Sequence, residues 1–212
     1  LPLFTLCEIL GVPPVDRPKL VHWMHFLETS QYQAQQEGLG NVTPEQMMAF
    51  MQEIQNMFEF GRHLLAERRK EPKEDLLSAI ANVEIDGKPL SPEFLDGSWL
   101  LIVFAGNDTT RNSLSGTMRL LTEFPDQKAK LQANEDLFPN FVHEAIRMVS
   151  PVTYMRRTTT TDTELGGQPI AEGEKVVMYY AAANRDPEKF PDPNRFDIIR
   201  DNAKEHLAFG HG

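Results

Sequence analysis

Between Pro92 and Pro125 the chain carries no proline, and Ser91-Pro92-Glu93 opens that stretch with a helix-starting pattern. A helix running its full length would span roughly 45 Å, enough to cross a whole domain. Its middle is unusual. After the apolar run 99–105 come Gly106, Asn107, Asp108, Thr109 and Thr110. Glycine adds backbone entropy to the unfolded state, and short polar side chains compete for backbone hydrogen bonds. Such residues at the centre of the longest helix mark either a functional site or a kink kept for packing. By themselves they leave both readings open.

The rest of the chain up to residue 150 also reads as helical. Thr43-Pro44-Glu45-Gln46 combines a capping threonine, a proline at the first helical position and a glutamine three residues after the cap. The helix it starts runs to about Arg69. Its Met47, Met48, Met51, Ile54, Met57 and Phe58 recur at helical spacing, and core packing is the expectation for them rather than a substrate-lining role. Residues 5–10 form a short apolar segment closed by Gly11 and Pro13-Pro14. Asp16 is placed to cap a helix carrying Leu20, Trp23, Met24 and Leu27. A turn is expected over 85–88, and a further helix over 139–149, stopped by Ser150-Pro151.

Beyond Pro151 the texture changes. Segments 155–161, 164–165, 168–170 and 175–180 read as short strands, separated by Gly166-Gly167 and Glu172-Gly173. Residues 184–202, rich in proline and aspartate, read as an irregular but packed loop. The expected fold class is mainly α with a small β region, as one domain over 1–212 that is helix-rich to residue 150.

Composition narrows the function classes. The chain has 212 residues and a net charge of −10, which argues against a broad nucleic-acid surface. Cys7 is the only cysteine, so disulfides and multi-cysteine metal sites are excluded. No apolar run is long enough to span a bilayer, and no signal pattern opens the chain, which gives a cytoplasmic expectation. A start without methionine and a stop on Phe209-Gly210-His211-Gly212 read as a fragment. His22 and His25 have metal-ligand spacing, although surface histidines are the plainer reading. No nucleophile-elbow motif suggests a hydrolase.

Four groups of residues carry possible chemistry. Asp108 and Thr109 are the first. Glu144 and Arg147 lie three apart on one helix face, a spacing that by itself suits an exposed ion pair of little energetic worth. Arg156 and Arg157 are tandem arginines opening a strand, suited to carboxylate or phosphate groups or simply to solubility. Phe209, Gly210 and Gly212 suggest a tight turn approaching something closely.

Taken in order, AGNDTT on the long helix, EAIR on the next substantial helix, RRT on a strand, PNRF and then HLAFGHG resemble the motif series of the bacterial cytochrome P450 family. Residues 1–23 resemble the stretch that precedes that family's substrate-covering helices. The resemblance implies a haem-thiolate monooxygenase with a partial P450 fold. It implies haem b as cofactor, with O2, a hydrophobic small-molecule substrate and a ferredoxin or other electron-transfer partner, and neither nucleic acid nor a membrane span. A non-catalytic helical small-molecule-binding protein of the same fold is the alternative.

Residue by residue, Asp108 and Thr109 match the acid–alcohol pair beside the oxygen site. Ala105 and Gly106 match the groove where the helix opens for dioxygen. Glu144 and Arg147 match a buried pair beneath the haem, with Arg195 as third member of that network. Arg157 matches a propionate-binding arginine, and Phe209, Gly210 and Gly212 match the start of the cysteine-ligand loop. Leu101 and Phe104, with Val152, Thr153 and Tyr154, are expected to border the substrate pocket. In the family the ligating cysteine follows the second glycine by four residues, so this stretch alone is expected to be inactive. Alkyl chains, fatty acids, terpenoids and sterol side chains are the expected substrates.

Overall fold

The capping signals act where the sequence places them. Thr43 accepts from the Gln46 amide at 3.2 Å and the Gln46 side chain accepts from Thr43 N at 2.8 Å, closing a capping box at the head of a helix over Pro44–Lys70. In the computed structural model, which describes residues 2–37 and 42–210, the chain forms two units, 1–108 and 109–212.

The first unit contains α1 (Pro2–Leu10), α2 (Arg17–Glu37), α3 (Pro44–Lys70), α4 (Leu76–Asn82), a two-stranded hairpin β1 (Glu84–Ile85) and β2 (Lys88–Pro89), and the first half of α5 (Pro92–Glu123). Its core gathers Leu10, Leu20, Trp23, Met57, Leu64, Leu77, Trp99 and Val103. Where α3 meets α5, a Cβ on Gly61 would stand 2.5 Å from Cδ1 of Trp99, and the Trp99 indole donates to Met57 O at 3.0 Å. A glycine is therefore required by close approach. A second device joins the far end of α3 to α1 and α4. Buried Arg68 donates to Asp75 Oδ2 and to Gly11 O, each at 2.6 Å, while Asp75 Oδ1 caps α4 by accepting from Ser78 N. Gly11 has φ +73° and lies against the Asp75 carboxylate, so no larger residue fits.

One expectation is corrected here. Met47, Met48 and Met51 are exposed rather than packed, because the buried stripe of α3 starts only at Met57 and continues through Gly61, Leu64, Leu65 and Arg68. Asp16 ends a 3-10 turn and pairs with Lys19 at 2.8 Å.

The second unit contains the rest of α5, then α6 (Pro125–Ala133), α7 (Phe138–Val149), β3 (Tyr154–Thr158), β4 (Thr163–Leu165), β5 (Gln168–Ile170), β6 (Lys175–Tyr179) and the short α8 (Tyr180–Ala183). Strand β3 pairs antiparallel with β6, setting Tyr154 opposite Tyr179 and Arg157 opposite Val176, and β4 pairs with β5. Leu120, Leu131, Phe141, Ala145, Met148, Phe196 and Ile198 form its core. Phe190, Phe196 and Ile198 are fully enclosed, so the irregular tail packs like a core element. A Cβ on Gly116 would stand 2.6 Å from Val149 Cγ2, which lets α5 and α7 approach closely.

Helix α5 is continuous from Pro92 to Glu123. The helix runs without interruption through Ala105 and Gly106, since one glycine costs a helix about 1 kcal/mol, too little to break one of this length. The missing Cβ of Gly106 admits Leu6, whose methyl carbons would lie 3.1 and 3.2 Å from it.

Candidate functional site

A buried polar cluster centres on α7. Glu144 and Arg147 are three positions apart, so both face the same side of the helix, and both are fully buried. Arg147 grips the carboxylate with a two-pronged bond, Nε to Oε2 at 2.7 Å and Nη2 to Oε1 at 2.8 Å. Its remaining donors reach Asn184 O at 2.6 Å and Pro193 O at 2.9 Å, and the guanidinium lies over the Phe190 ring. Glu144 Oε1 also accepts from Asp197 N at 3.0 Å and from Arg200 Nε at 3.2 Å. Burial reverses the sequence-only view of the pair as an exposed bridge.

The third side chain in this network is Arg200, not Arg195. Arg195 is exposed and takes part through its carbonyl, which accepts from Arg147 at 3.3 Å and from Arg200 at 3.2 Å. The irregular turn over 191–200 directs the Arg195 side chain outward and the Arg200 side chain inward. No periodic pattern in the tail marks that choice, so sequence reasoning had no signal for it.

Next to this network lies a cleft of about 490 Å³. One wall is α5, with Thr109, Thr110, Ser113, Leu114 and Thr117. The other is α7, with Phe141, Val142, Ala145 and Ile146, closed by Pro151, Val152, Ala208 and Phe209. Its polar side chains are all hydroxyls, and the rest is apolar.

The cleft thus brings together three of the expected site residues, Thr109, Val152 and Phe209. Asp108 immediately precedes Thr109 on α5 and is partly buried. Gly210, at φ +81°, ends a tight turn in which its amide donates to Leu207 O at 2.9 Å. Thr153 and Tyr154 are exposed and do not line this cleft, because β3 begins there and turns them away; the Tyr154 ring packs on Tyr179 instead. Leu101 and Phe104 belong to the first unit and are exposed on α5. Arg157 is exposed on β3, donating to Arg156 O at 3.3 Å. Gly212 lies outside the described residues. Among the described residues no group of His, Cys, Asp and Glu could hold a metal ion; His22 pairs with Glu53 at 3.4 Å and stacks on Phe26.

Three polar residues near the cleft were not among the candidate site residues. Asn184 accepts from Leu207 N at 2.7 Å and donates to Ser150 Oγ at 2.9 Å. Ser150 itself ends α7 in a left-handed conformation, φ 45°. His206 is buried between His143 and Phe209. Burial is the largest cause holding its imidazole below its usual pKa, with His143 and Arg147 adding to the effect.

Comparison with known proteins decides the family, since the cytochrome P450 family model matches residues 37–212. The chain belongs to the cytochrome P450 family. This P450 is 38% identical over 212 residues to linalool 8-monooxygenase of Pseudomonas putida, covering all of this chain and 50% of that protein. It is 37% identical over 216 residues to methyl-branched lipid omega-hydroxylase of Mycobacterium tuberculosis, covering 48% of it. The crystal structure of CYP108D1 from Novosphingobium aromaticivorans matches with TM-score 0.82 and 37% identity, over all of this chain and 48% of that one. The chain therefore spans about half the length of the curated relatives it matches. The fold is that of P450 structures.

The family implies a haem, and the P450's own cleft can be set against that group. Its apolar walls, hydroxyl-only polar groups and closure by the Ala208–Phe209 turn suit the flat hydrocarbon body of a porphyrin. The iron ligand is a different matter. Among the described residues the only cysteine is Cys7, buried in α1 of the first unit. No helix among the described residues is long and apolar enough to cross a membrane.

Proposed function

We propose that this chain is the haem-cradling part of a monooxygenase that inserts one oxygen atom from O2 into a C–H bond of a hydrophobic substrate. The observation that carries the reading is the cleft walled by Thr109 on one helix and by the Phe209 turn on the other side, set beside the buried Glu144–Arg147–Arg200 network. Haem b held there would supply the oxygen-activating chemistry, its thiolate ligand being the cysteine that the family resemblance places after Gly212.

The chain's own residues do the positioning. Thr110, Ser113, Leu114, Ala145 and Ile146 would hold the porphyrin faces and exclude water from them. Glu144, Arg147 and Arg200 fix the backbone of 191–200 against α7, so the cradle is rigid before the cofactor arrives. Arg157 would meet a propionate. Thr109 would orient a water by its hydroxyl, and Asp108 would connect that water to solvent as a proton donor. Val152, on the cleft wall, would contact substrate.

Substrates with aliphatic chains, such as terpenoids, fatty acyl groups and sterol side chains, fit best, since relatives of this chain act on linalool and on methyl-branched lipids. A ferredoxin or similar carrier would deliver electrons. The test is to express the gene read past Gly212 with haem supplied and record the reduced carbon monoxide difference spectrum. A long-wavelength Soret band typical of thiolate ligation supports the reading. A protein that takes up no haem refutes it and favours a non-catalytic binding role.

A further inference from the structure

His206 is almost completely enclosed, at 7% exposure, and both of its ring nitrogens have partners. Nδ1 accepts from the Ala208 amide at 3.2 Å, which is possible only when that nitrogen carries no proton. The neutral ring therefore keeps its proton on Nε2. That nitrogen lies 3.4 Å from Nδ1 of His143, a long hydrogen bond to α7 one residue before Glu144. The Phe209 ring stands edge-on to the imidazole with centroids 5.0 Å apart, and the Leu207 amide is held by Asn184. One side chain thus ties the backbone at Ala208 to the helix that carries the buried ion pair.

The charged and titratable groups facing His206 are His143, Arg147 and Glu144, all on α7; the first two resist a further proton and Glu144 favours it. A proton added at Nδ1 would set two N–H groups against each other and release Ala208.

We propose that His206 is a positioning residue for the haem-ligand loop: in its Nε2–H form it is a strut from His143 to the Ala208 amide, and it fixes the Phe209–Gly210 turn from which the loop departs. This inference rests on the monooxygenase reading above. Two substitutions separate the two ends of the strut. Asparagine in H206N can accept from an amide two residues on, as the imidazole does, but cannot reach His143. Glutamine in H206Q places its amide donor near the Nε2 position and offers no acceptor at Nδ1.

The first measurement is long-range 15N–1H NMR of the wild-type chain. An Nε2–H tautomer at His206 is expected, and an Nδ1–H tautomer overturns the proposal whatever the variants do. The second uses the protein extended through the loop and loaded with haem. H206Q is expected to expose the Ala208 amide to exchange about tenfold faster than H206N does, the size of one lost hydrogen bond. H206Q should also lose more of the thiolate Soret band at neutral pH, where wild type and H206N hold theirs, and only wild type should show a further loss on acidification, when His206 takes up a proton. Equal exchange and equal spectra in the two variants would overturn the inference alone. Absence of haem from the wild type would overturn the monooxygenase reading and the loop role together, with the tautomer still on record.

Discussion

Glu144→Gln changes one atom in a fully buried carboxylate and tests whether charge, rather than shape, holds the α7 network together. Glu144 accepts four bonds: Arg147 Nε at Oε2, and Arg147 Nη2, Asp197 N and Arg200 Nε at Oε1. A glutamine has only one accepting oxygen. In its better orientation the oxygen keeps the three Oε1 bonds, and the amide nitrogen faces Arg147 Nε, donor against donor. In the other orientation three bonds are lost. Either way two guanidiniums stay buried with no anion between them, and removing one partner of a buried pair costs about 3–5 kcal/mol. For a chain of this length that lowers the melting temperature by about 6–20 °C. Chemical denaturation followed by far-UV circular dichroism measures the loss, and amide exchange across α7 locates it. The exposed Arg119–Glu123 pair is the control, since Glu123→Gln should stay within about 0.5 kcal/mol of wild type. Glu144→Gln within about 1 kcal/mol of wild type would refute the argument that the network depends on the carboxylate charge.

Gly61→Ala gains about 1 kcal/mol of helix propensity but drives a methyl into Trp99, which its bond to Met57 O holds in place; a net loss of about 1–2 kcal/mol is expected in urea titration followed by tryptophan fluorescence. Asp75 is pulled two ways. Burial raises its pKa, but the bonds from Ser78 and Arg68 outweigh that and leave it below the ordinary value. A depressed carboxylate stabilises the fold fully above its unfolded pKa of about 3.9, and that contribution is lost as pH falls through the lower folded value. Asp75→Asn should therefore cost about 3 kcal/mol at neutral pH and flatten the acid limb of a melting-temperature profile below about pH 4. In the haem-loaded, extended protein, Thr109→Ala should keep consuming reductant while product falls and hydrogen peroxide appears; unchanged coupling would remove Thr109 from the proton-handling role.

Local rules made much of the helical framework legible. The capping box at Thr43 and the proline-free run after Pro92 are signals written into neighbouring residues, and α3 and α5 begin where those signals stand. The short strands beyond Pro151 were legible too, because Gly166-Gly167 and Glu172-Gly173 separate them, whereas the β1–β2 hairpin was read only as a turn. Chain order alone also placed Thr109, Glu144, Arg147 and Phe209 in one motif series, which identified the family.

What the sequence could not determine depends on burial and long-range packing. Glu144 and Arg147 look like a surface pair until Phe190, Phe196 and the 191–200 turn enclose them. The choice of Arg200 over Arg195 is made by a loop without periodicity, in which the backbone path alone decides which side chain turns inward. The same holds for the exposed methionines of α3, whose spacing is helical but which lie beyond the stripe that the core covers. Periodicity states which residues share a face; only the fold decides which part of that face another element reaches.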